Sequence, residues 1–483
     1  MPTAPPPANL RSSPRIIVIG GGLAGIAAAV ALESRGLSVS LLEARQQAGG
    51  RAGSFKDPRT GELLDNCQHV LLGCCTNLIG LYRRIGALDQ IHFQSSIFFA
   101  AGKDRWRLFG VPGLPAPLHL GPALAAFSLL SMTERLELAA AMTRILCLSD
   151  EEMRELMNVP FSEWLDEQGQ SAELIRKLYD PIVISGLNEE TRAAGAGWAI
   201  KIFRDSLLVN SRGYLFGLPQ CPLGKLYERL ALRDLHLSTR LSEHCFDGRR
   251  VSAVKTQDGQ TFVADAVVLA TNHHTLNQWI PADLWDSDAR FAGLSQLQSV
   301  PILGAHLWFD QPILNESHLA LVDGPLQWLF RKDASGSALH GVISAARDWV
   351  GIPHEQCLAK FEEQVRTLFP RAANAKLIRG SIVIEKRATF SPLPGVNRLR
   401  PEQAPPEGGI ENLFLAGDYS LTGWPATMEG AVRSGYLAAD AVMRALPDAA
   451  NHASFVVPDL PLEWPARSIR HFSSGRKTSS AAR

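Results

Sequence analysis

The feature that most narrows the fold is a set of three glycines at fixed spacing, Gly20-x-Gly22-x-x-Gly25, lying between a short β-branched run and a breaker-free one. Arg15 to Ile19 reads RIIVI, the pattern of a buried strand, and Ile26 to Leu32 is rich in Ala and Leu, the pattern of a packed helix that Gly36 would end. Leu37 to Leu42 reads as a second strand closing on Glu43. The whole is a βαβ unit of about 30 residues. In such a unit the first glycine permits a tight turn, the second lets backbone approach a pyrophosphate and the third lets the helix lie close to the strand. The helix N-terminus favours phosphate charge, and the acid ending the second strand holds a ribose hydroxyl. Gly20, Gly22, Leu23, Ala24, Gly25 and Glu43 are therefore expected to bind a dinucleotide.

The residues that follow decide which dinucleotide. Glu43-Ala44-Arg45 leads into Gly49-Gly50-Arg51-Ala52-Gly53, a basic, glycine-rich loop suited to wrap a second face of the pyrophosphate where a plain NAD domain would enter another crossover. This favours FAD, with Ala44, Arg45, Gly50 and Arg51 added to its contacts. Near the C-terminus Phe414-Leu415-Ala416-Gly417-Asp418 ends a strand with a carboxylate suited to accept from ribityl hydroxyls. Thr427-Met428-Glu429-Gly430-Ala431 then starts a helix whose positive end is expected to face the flavin edge, with Thr427, Met428 and Ala431 nearest; such a terminus is worth about 0.3 to 2 kcal/mol to an anion, depending on burial.

Length and charge bound the remainder. At roughly 150 residues per domain, 483 residues make about three domains or two larger ones. Lys plus Arg and Asp plus Glu number 48 each, so no basic field gathers nucleic acid. The seven cysteines (67, 74, 75, 147, 221, 245, 357) are odd in number and lack C-x-x-C spacing, and Met1 to Pro14 has no apolar run of a signal peptide. Reduced thiols and a cytoplasmic location are the expectation. Strands are expected at Leu235–Cys245, Arg250–Thr256, Thr261–Ala270 and Asn412–Ala416, with Asp258-Gly259 as a hairpin turn, and a helix at Glu429–Ala445. The nucleotide-binding half is placed at 15–94, 206–275 and 386–446, and a twice-inserted substrate-binding domain at 95–205 and 276–385. Residues 1–14 and 459–483 are expected to be tails, disordered and mobile respectively. His273-His274 has no third ligand nearby, and no metal is expected.

These motifs resemble the flavin amine oxidase and phytoene desaturase superfamily. More specifically, Leu64-Asp65-Asn66-Cys67-Gln68-His69-Val70-Leu71-Leu72-Gly73-Cys74, joined with Gly423-Trp424-Pro425-Ala426-Thr427-Met428-Glu429-Gly430-Ala431-Val432-Arg433-Ser434-Gly435, is similar to the squalene-associated branch, the hydroxysqualene dehydroxylases. The resemblance implies an α/β fold: a Rossmann-like, glutathione-reductase-like FAD-binding domain with an interleaved α+β substrate domain. It also implies that Leu241 offers backbone to adenine, and that the activity is FAD-dependent reductive loss of a hydroxyl from hydroxysqualene, a C30 isoprenoid, giving squalene. One position departs from the branch pattern: Cys67 stands where glycine is common, and a left-handed backbone there would carry about 1 to 3 kcal/mol of strain.

Loss of an allylic hydroxyl needs an acid, and His69 and Asp65 of the branch-specific run are the expected ones; a structural histidine in an apolar run is the alternative for His69. A desaturase working in the opposite redox direction shares all the FAD motifs. A flavin amine oxidase fits less well because Thr427, not an aromatic, precedes Met428. A prenyl-binding carrier resembling the GDP-dissociation inhibitors would leave Glu43, Gly50-Arg51 and Asp418 without purpose. A hydrocarbon substrate rests in lipid, so transient contact with a bilayer surface is expected through Leu108 to Thr133, a stretch without Asp, Glu, Lys or Arg, aided by Arg467, Arg470, Arg476, Lys477 and Arg483. Pro112, Pro115, Pro117 and Pro122 keep that stretch from forming a spanning helix.

Overall fold

The structure is a computed structural model that describes residues 13–446 and 452–470; the expectations for 1–12 and 471–483 lie outside the described residues. Strand β1 (Arg15–Ile19), helix α1 (Leu23–Glu33) and strand β2 (Ser38–Leu42) form the βαβ unit. β1 is apolar throughout its buried length because it lies at the centre of a five-stranded parallel sheet. The order is Asp234–His236, β2, β1, Ala266–Leu269, Leu413–Leu415, with Ile17 level with Ser40 on one side and Val267 on the other. Parallel pairing thus aligns the ends of strands that are hundreds of residues apart. The run of small residues in α1 lets it lie backbone-close to helix Met428–Ala445, with Gly435 against Ala24 and Ala27.

The stretch Leu235–Cys245 corrects the expectation of one strand. It is two strands in two sheets, Asp234–His236 beside β2 and Leu241–Asp247 in an antiparallel three-stranded sheet with Arg250–Thr256 and Thr261–Val263. The chain turns at Ser238, whose φ is +56°, because it wraps the end of β2: Ser238 N donates to Arg45 O and Thr239 N to Glu43 O. The Thr261–Ala270 stretch likewise divides, after Val263, into that sheet and the central parallel one.

Above the nucleotide-binding half stands a seven-stranded sheet ordered Leu377–Phe390, Ser299–Phe309, Ala338–Ile343, Trp328–Arg331, His318–Leu321, Ser96–Ala101, Asp104–Phe109. Its outer face packs Leu303, Ala305 and Leu307 on helix His354–Leu368. Its inner face carries Gly304, His306, Trp328, Phe330, His340 and Val342 toward Asp65 and the segment after it. Residues 118–208 are almost wholly helical and close the side. The first sheet strand begins at Ser96, and the last crosses 385 to end at Phe390.

Residues 459–470, expected to be mobile, are docked instead. Ala466 is fully buried, Glu463 accepts from Ser211 N (3.1 Å), Ser211 Oγ (2.7 Å) and Ala116 N, and Asp459 pairs with Arg433. The Pro-rich residues 459–463 run without regular structure as a strap, and residues 464–470 then form a helix whose Ala466 is buried.

Candidate functional site

The glycine turn is built as its spacing requires. Gly20 has φ +105°, and a Cβ on Gly25 would sit 1.8 Å from Gly20 O, so α1 starts in backbone contact with the turn. Glu43, buried at the end of β2, accepts from Gly21 N (2.6 Å) through Oε2 and from Arg45 N (2.7 Å) through Oε1; its remaining lone pairs are those a ribose would use. Ala44 and Arg45 are exposed beside it, and Arg45 donates to Gly50 O at 3.2 Å. The second loop folds back on the first: Gly22 and Gly49 form a parallel bridge, and Gly49 N donates to Gly21 O at 2.7 Å. Leu23 and Ala24 are buried in the first turn of α1. Leu241 opens the strand two residues after Thr239, which bonds Glu43.

The distant C-terminal motif meets these loops. Arg51 pairs with Asp418 (2.6 Å) and also donates to Ala388 O, joining the second glycine loop, the strand end after Leu415 and the long strand of the upper sheet. Gly417 N donates to Ser434 Oγ at 2.8 Å. The loop after Asp418 is gathered by the buried Arg400, which donates to Asp418 O (3.1 Å) and Trp424 O (2.9 Å). Thr427 caps helix Met428–Ala445, accepting from Gly430 N at 3.1 Å, and Met428 and Ala431 are half-buried in its first turn. The groove fits a dinucleotide on two counts. A Cβ on Gly22 would have Gly50 Cα as its nearest neighbour, 4.0 Å away, leaving open space above the turn. Thr271 Oγ1 and His273 Nε2, on the loop beyond the C-terminal end of Ala266–Leu269, are buried without a hydrogen-bond partner among the described residues, where an open parallel sheet receives its ligand.

The branch-specific run lies between this groove and the upper sheet. β3 (Ser54–Lys56) and β4 (Leu63–Asp65) form a hairpin that ends at Asp65, and Asn66 reaches back, donating through Nδ2 to Arg51 O at 3.3 Å. Asp65 is buried and accepts from Ser54 Oγ (2.7 Å), Leu223 N (2.8 Å) and Lys332 Nζ (3.2 Å). A carboxylate so surrounded by donors is an anchor, which argues against the expected role of Asp65 as proton donor. His69 is half-buried, with Nδ1 3.0 Å from Cys67 O; burial, and then the nearby Arg51 and Lys332, pull its pKa below the ordinary imidazole value, against the bond to Cys67 O and the charge of Asp65. Donation of Nδ1–H to that carbonyl leaves Nε2 as the unprotonated ring nitrogen of the neutral side chain. At Cys67 the condition for strain is not met. The non-glycine residues with positive φ among those described are Asn188, Ser238 and Ala345, so the cysteine carries no left-handed strain. Its buried thiol is pushed up to about 12, chiefly by desolvation.

Several residues of this region had no local sequence signal. His306, His340, Phe330 and His318 form one ladder row across four strands of the upper sheet. His306 Nε2 lies 3.0 Å from Asp65 O, and its ring is 4.1 Å from that of His340. Lys332 lies 267 residues from its partner Asp65. Glu429, quoted only within a motif, accepts from Asn77 Nδ2 (2.8 Å), Leu78 N (2.8 Å) and Arg433 Nε (2.9 Å), and so caps α2 (Thr76–Arg84) with its charge. The rings of the adjacent His273 and His274 lie 3.8 Å apart, tilted by 38°, and among the described residues no group of three His, Cys, Asp or Glu is placed to hold a metal.

A parallel-sheet groove built for a dinucleotide, roofed by a largely antiparallel sheet, defines a two-domain flavoprotein oxidoreductase. The chain belongs to the flavin containing amine oxidoreductase family, whose pattern matches residues 23–443, and it is an FAD-dependent oxidoreductase. It is 30% identical over 442 residues to a hydroxysqualene dehydroxylase of Sinorhizobium fredii, covering 88% of this chain and 97% of that one. It is 27% identical over 465 residues to the 15-cis-phytoene desaturase of Synechococcus elongatus, covering 89% and 96% respectively. Among solved structures, putrescine oxidase bound to putrescine is similar in fold, with TM-score 0.65 and 17% identity over 89% of this chain and 98% of that one.

Proposed function

We propose that the protein reduces hydroxysqualene to squalene. The observation that carries this reading is the 30% identity to a hydroxysqualene dehydroxylase along almost the full length of both chains. The branch-specific run Leu64–Cys74, lying directly beside the FAD clamp, supports it. In the reaction the allylic C–O bond breaks, a C–H bond forms, and the hydroxyl leaves as water with one added proton. Bound FAD in its reduced form supplies the hydride. Glu43, Arg51 and Asp418 would hold the cofactor through its ribose, pyrophosphate and ribityl groups, and Thr427, Met428 and Ala431 would supply the helix end to its ring. His69 Nε2 is the atom that receives the substrate hydroxyl by hydrogen bond and, when protonated, gives it the proton.

Transfer of a C30 hydrocarbon from water to an apolar tunnel gains on the order of 20 kcal/mol, whereas transfer from lipid gains almost nothing, so the substrate is best collected at a bilayer surface. Leu114, Leu118 and Met132 of the uncharged stretch are exposed, as are Leu136 and Trp464; among the described residues no helix is long and apolar enough to cross a membrane. A peripheral contact through this stretch accords with both observations.

The desaturase reading is the competing one, supported by the 27% identity to a phytoene desaturase. Anaerobic incubation of the reduced holoenzyme with hydroxysqualene, followed by product analysis, separates the two. Squalene is the expected product. Absence of squalene, with desaturation of squalene or phytoene by the oxidised enzyme, would overturn the proposal.

A further inference from the structure

The motif loop after β4, residues 66–70, is short, has no Asp, Glu, Lys or Arg of its own, and lies between the second glycine loop and the upper sheet. One of the groups that hold it is an ammonium. Lys332 follows strand Trp328–Arg331, and its backbone is fixed by donation of N–H to Ala338 O at 2.8 Å. From there Nζ reaches out of the upper sheet to Asp65 Oδ2 (3.2 Å) at the end of β4 and to Gln68 Oε1 (2.9 Å) within the loop. Gln68 in turn donates through Nε2 to His69 O at 3.2 Å. Asp65 is almost wholly buried, and the Lys332 side chain is itself only 26% exposed, so the ammonium lacks the freedom of a surface lysine.

We propose that Lys332 is a positioning residue for this site: by bridging Asp65 and Gln68 it holds the loop that carries His69 against the roof sheet and supplies the positive charge the loop is built around. The assignment rests on the dehydroxylase reading for what His69 does, but not for where Lys332 sits. The bridge has two separable effects. Through Gln68 it fixes the backbone of His69. Through its charge it opposes protonation of the His69 ring, in the company of every other group that faces that ring: Arg51 from the second glycine loop, the neutral Cys67 beside it, His340 from the roof, and Asp65, whose charge acts the other way. Removing the ammonium deletes a repelling cation and leaves the opposing charge of Asp65 in place, so the pH at which His69 gains its proton rises.

The test uses FAD-loaded full-length protein and three variants, Lys332→Met, Lys332→Arg and Gln68→Leu. The protonation midpoint of His69 is read without turnover, from histidine ring NMR with the signal assigned by His69→Gln, and squalene formation is followed separately. Lys332→Met is expected to raise the midpoint, and to lower kcat at least tenfold with KM changed less than threefold. Lys332→Arg keeps the charge and is expected to hold the wild-type midpoint and recover most of kcat. Gln68→Leu frees the loop without touching the charge, so kcat falls while the midpoint stays; it also serves in place of Lys332→Met should that variant fail to fold. An unchanged midpoint in Lys332→Met, or an equal shift in Lys332→Arg, overturns the assignment of charge. Wild-type kcat in both Lys332→Met and Gln68→Leu overturns the assignment of positioning. If the wild-type protein makes no squalene, the functional reading fails while the NMR midpoints still decide the role of Lys332.

Discussion

Gly22 and Gly25 stand three residues apart in one turn, yet the structure assigns them opposite sensitivities, and substituting each with alanine separates cofactor contact from packing. At Gly25 the added Cβ would lie 1.8 Å from Gly20 O and 3.2 Å from Ala270 Cβ. Contacts under about 3.0 Å are essentially never tolerated, so backbone must retreat by more than 1 Å. Helix propensity returns at most about 1 kcal/mol, and overpacking of this kind costs about 1 to 3 kcal/mol or more, so Gly25→Ala should lose about 1 to 2 kcal/mol of stability. At Gly22 the backbone is ordinary, with φ −74°, and the nearest atom to a Cβ is 4.0 Å away. As an N-cap, alanine costs about 1 kcal/mol or less. The same Cβ, however, would occupy the open space that the pyrophosphate is proposed to fill, so Gly22→Ala should fold nearly as well as wild type while binding FAD at least tenfold more weakly, about 1.4 kcal/mol. Denaturant unfolding of the apoprotein and titration of FAD by fluorescence quenching measure the two effects. Wild-type FAD affinity in Gly22→Ala would refute the placement of the cofactor, and an unperturbed Gly25→Ala would refute the packing argument.

Other outcomes follow from single contacts. Arg290 and Asp288 form a buried pair at 2.7 Å, and Arg290 also donates to Leu413 O at 2.7 Å, so Arg290→Met should destabilise the fold by about 3 to 5 kcal/mol in chemical unfolding; a loss below about 1 kcal/mol would refute it. Burial raises the pKa of Glu463, but its bonds from Ser211 and Ala116 outweigh this and hold it below the ordinary carboxylate value. Its contribution is therefore present above the unfolded value and is lost as pH falls through the folded one. Hydrogen exchange at Ala116 should accelerate in Glu463→Gln at neutral pH, and the difference between variant and wild type should vanish in acid. Leu118→Asp combined with Met132→Asp should reduce co-sedimentation with anionic vesicles, and unchanged binding would move the membrane contact elsewhere.

The cofactor half was legible because its chemistry is written in local spacing. The strand, glycine turn, helix and terminal acid of residues 15–43 follow one another within a single βαβ unit, and the Asp258-Gly259 hairpin is equally local, with Gly259 at φ +86°. Legibility ended where the chain answers to neighbours distant in sequence. Nothing in Leu235–Cys245 announces the turn at Ser238, because that turn exists to pass around the end of β2. Composition marks 459–470 as tail, and contacts with residues distant in sequence, Glu463 with Ser211 and Ala116 and Asp459 with Arg433, dock it. The glycine expectation at Cys67 concerns backbone angles, and angles are settled by what the loop packs on.

By itself, then, the amino-acid order determined that the cofactor is FAD, where the spacing of a dinucleotide-binding glycine turn lies, and which branch of flavoproteins the second motif resembles. Tertiary structure alone decided that Asp65 is an anchored carboxylate, that His69 is held by a carbonyl of its own loop, and that Lys332 bridges Asp65 to that loop through Gln68. Spacing along a chain encodes contacts made within a turn or between adjacent elements. The charge around a buried imidazole is a sum over groups from several strands, and no stretch of sequence contains that sum.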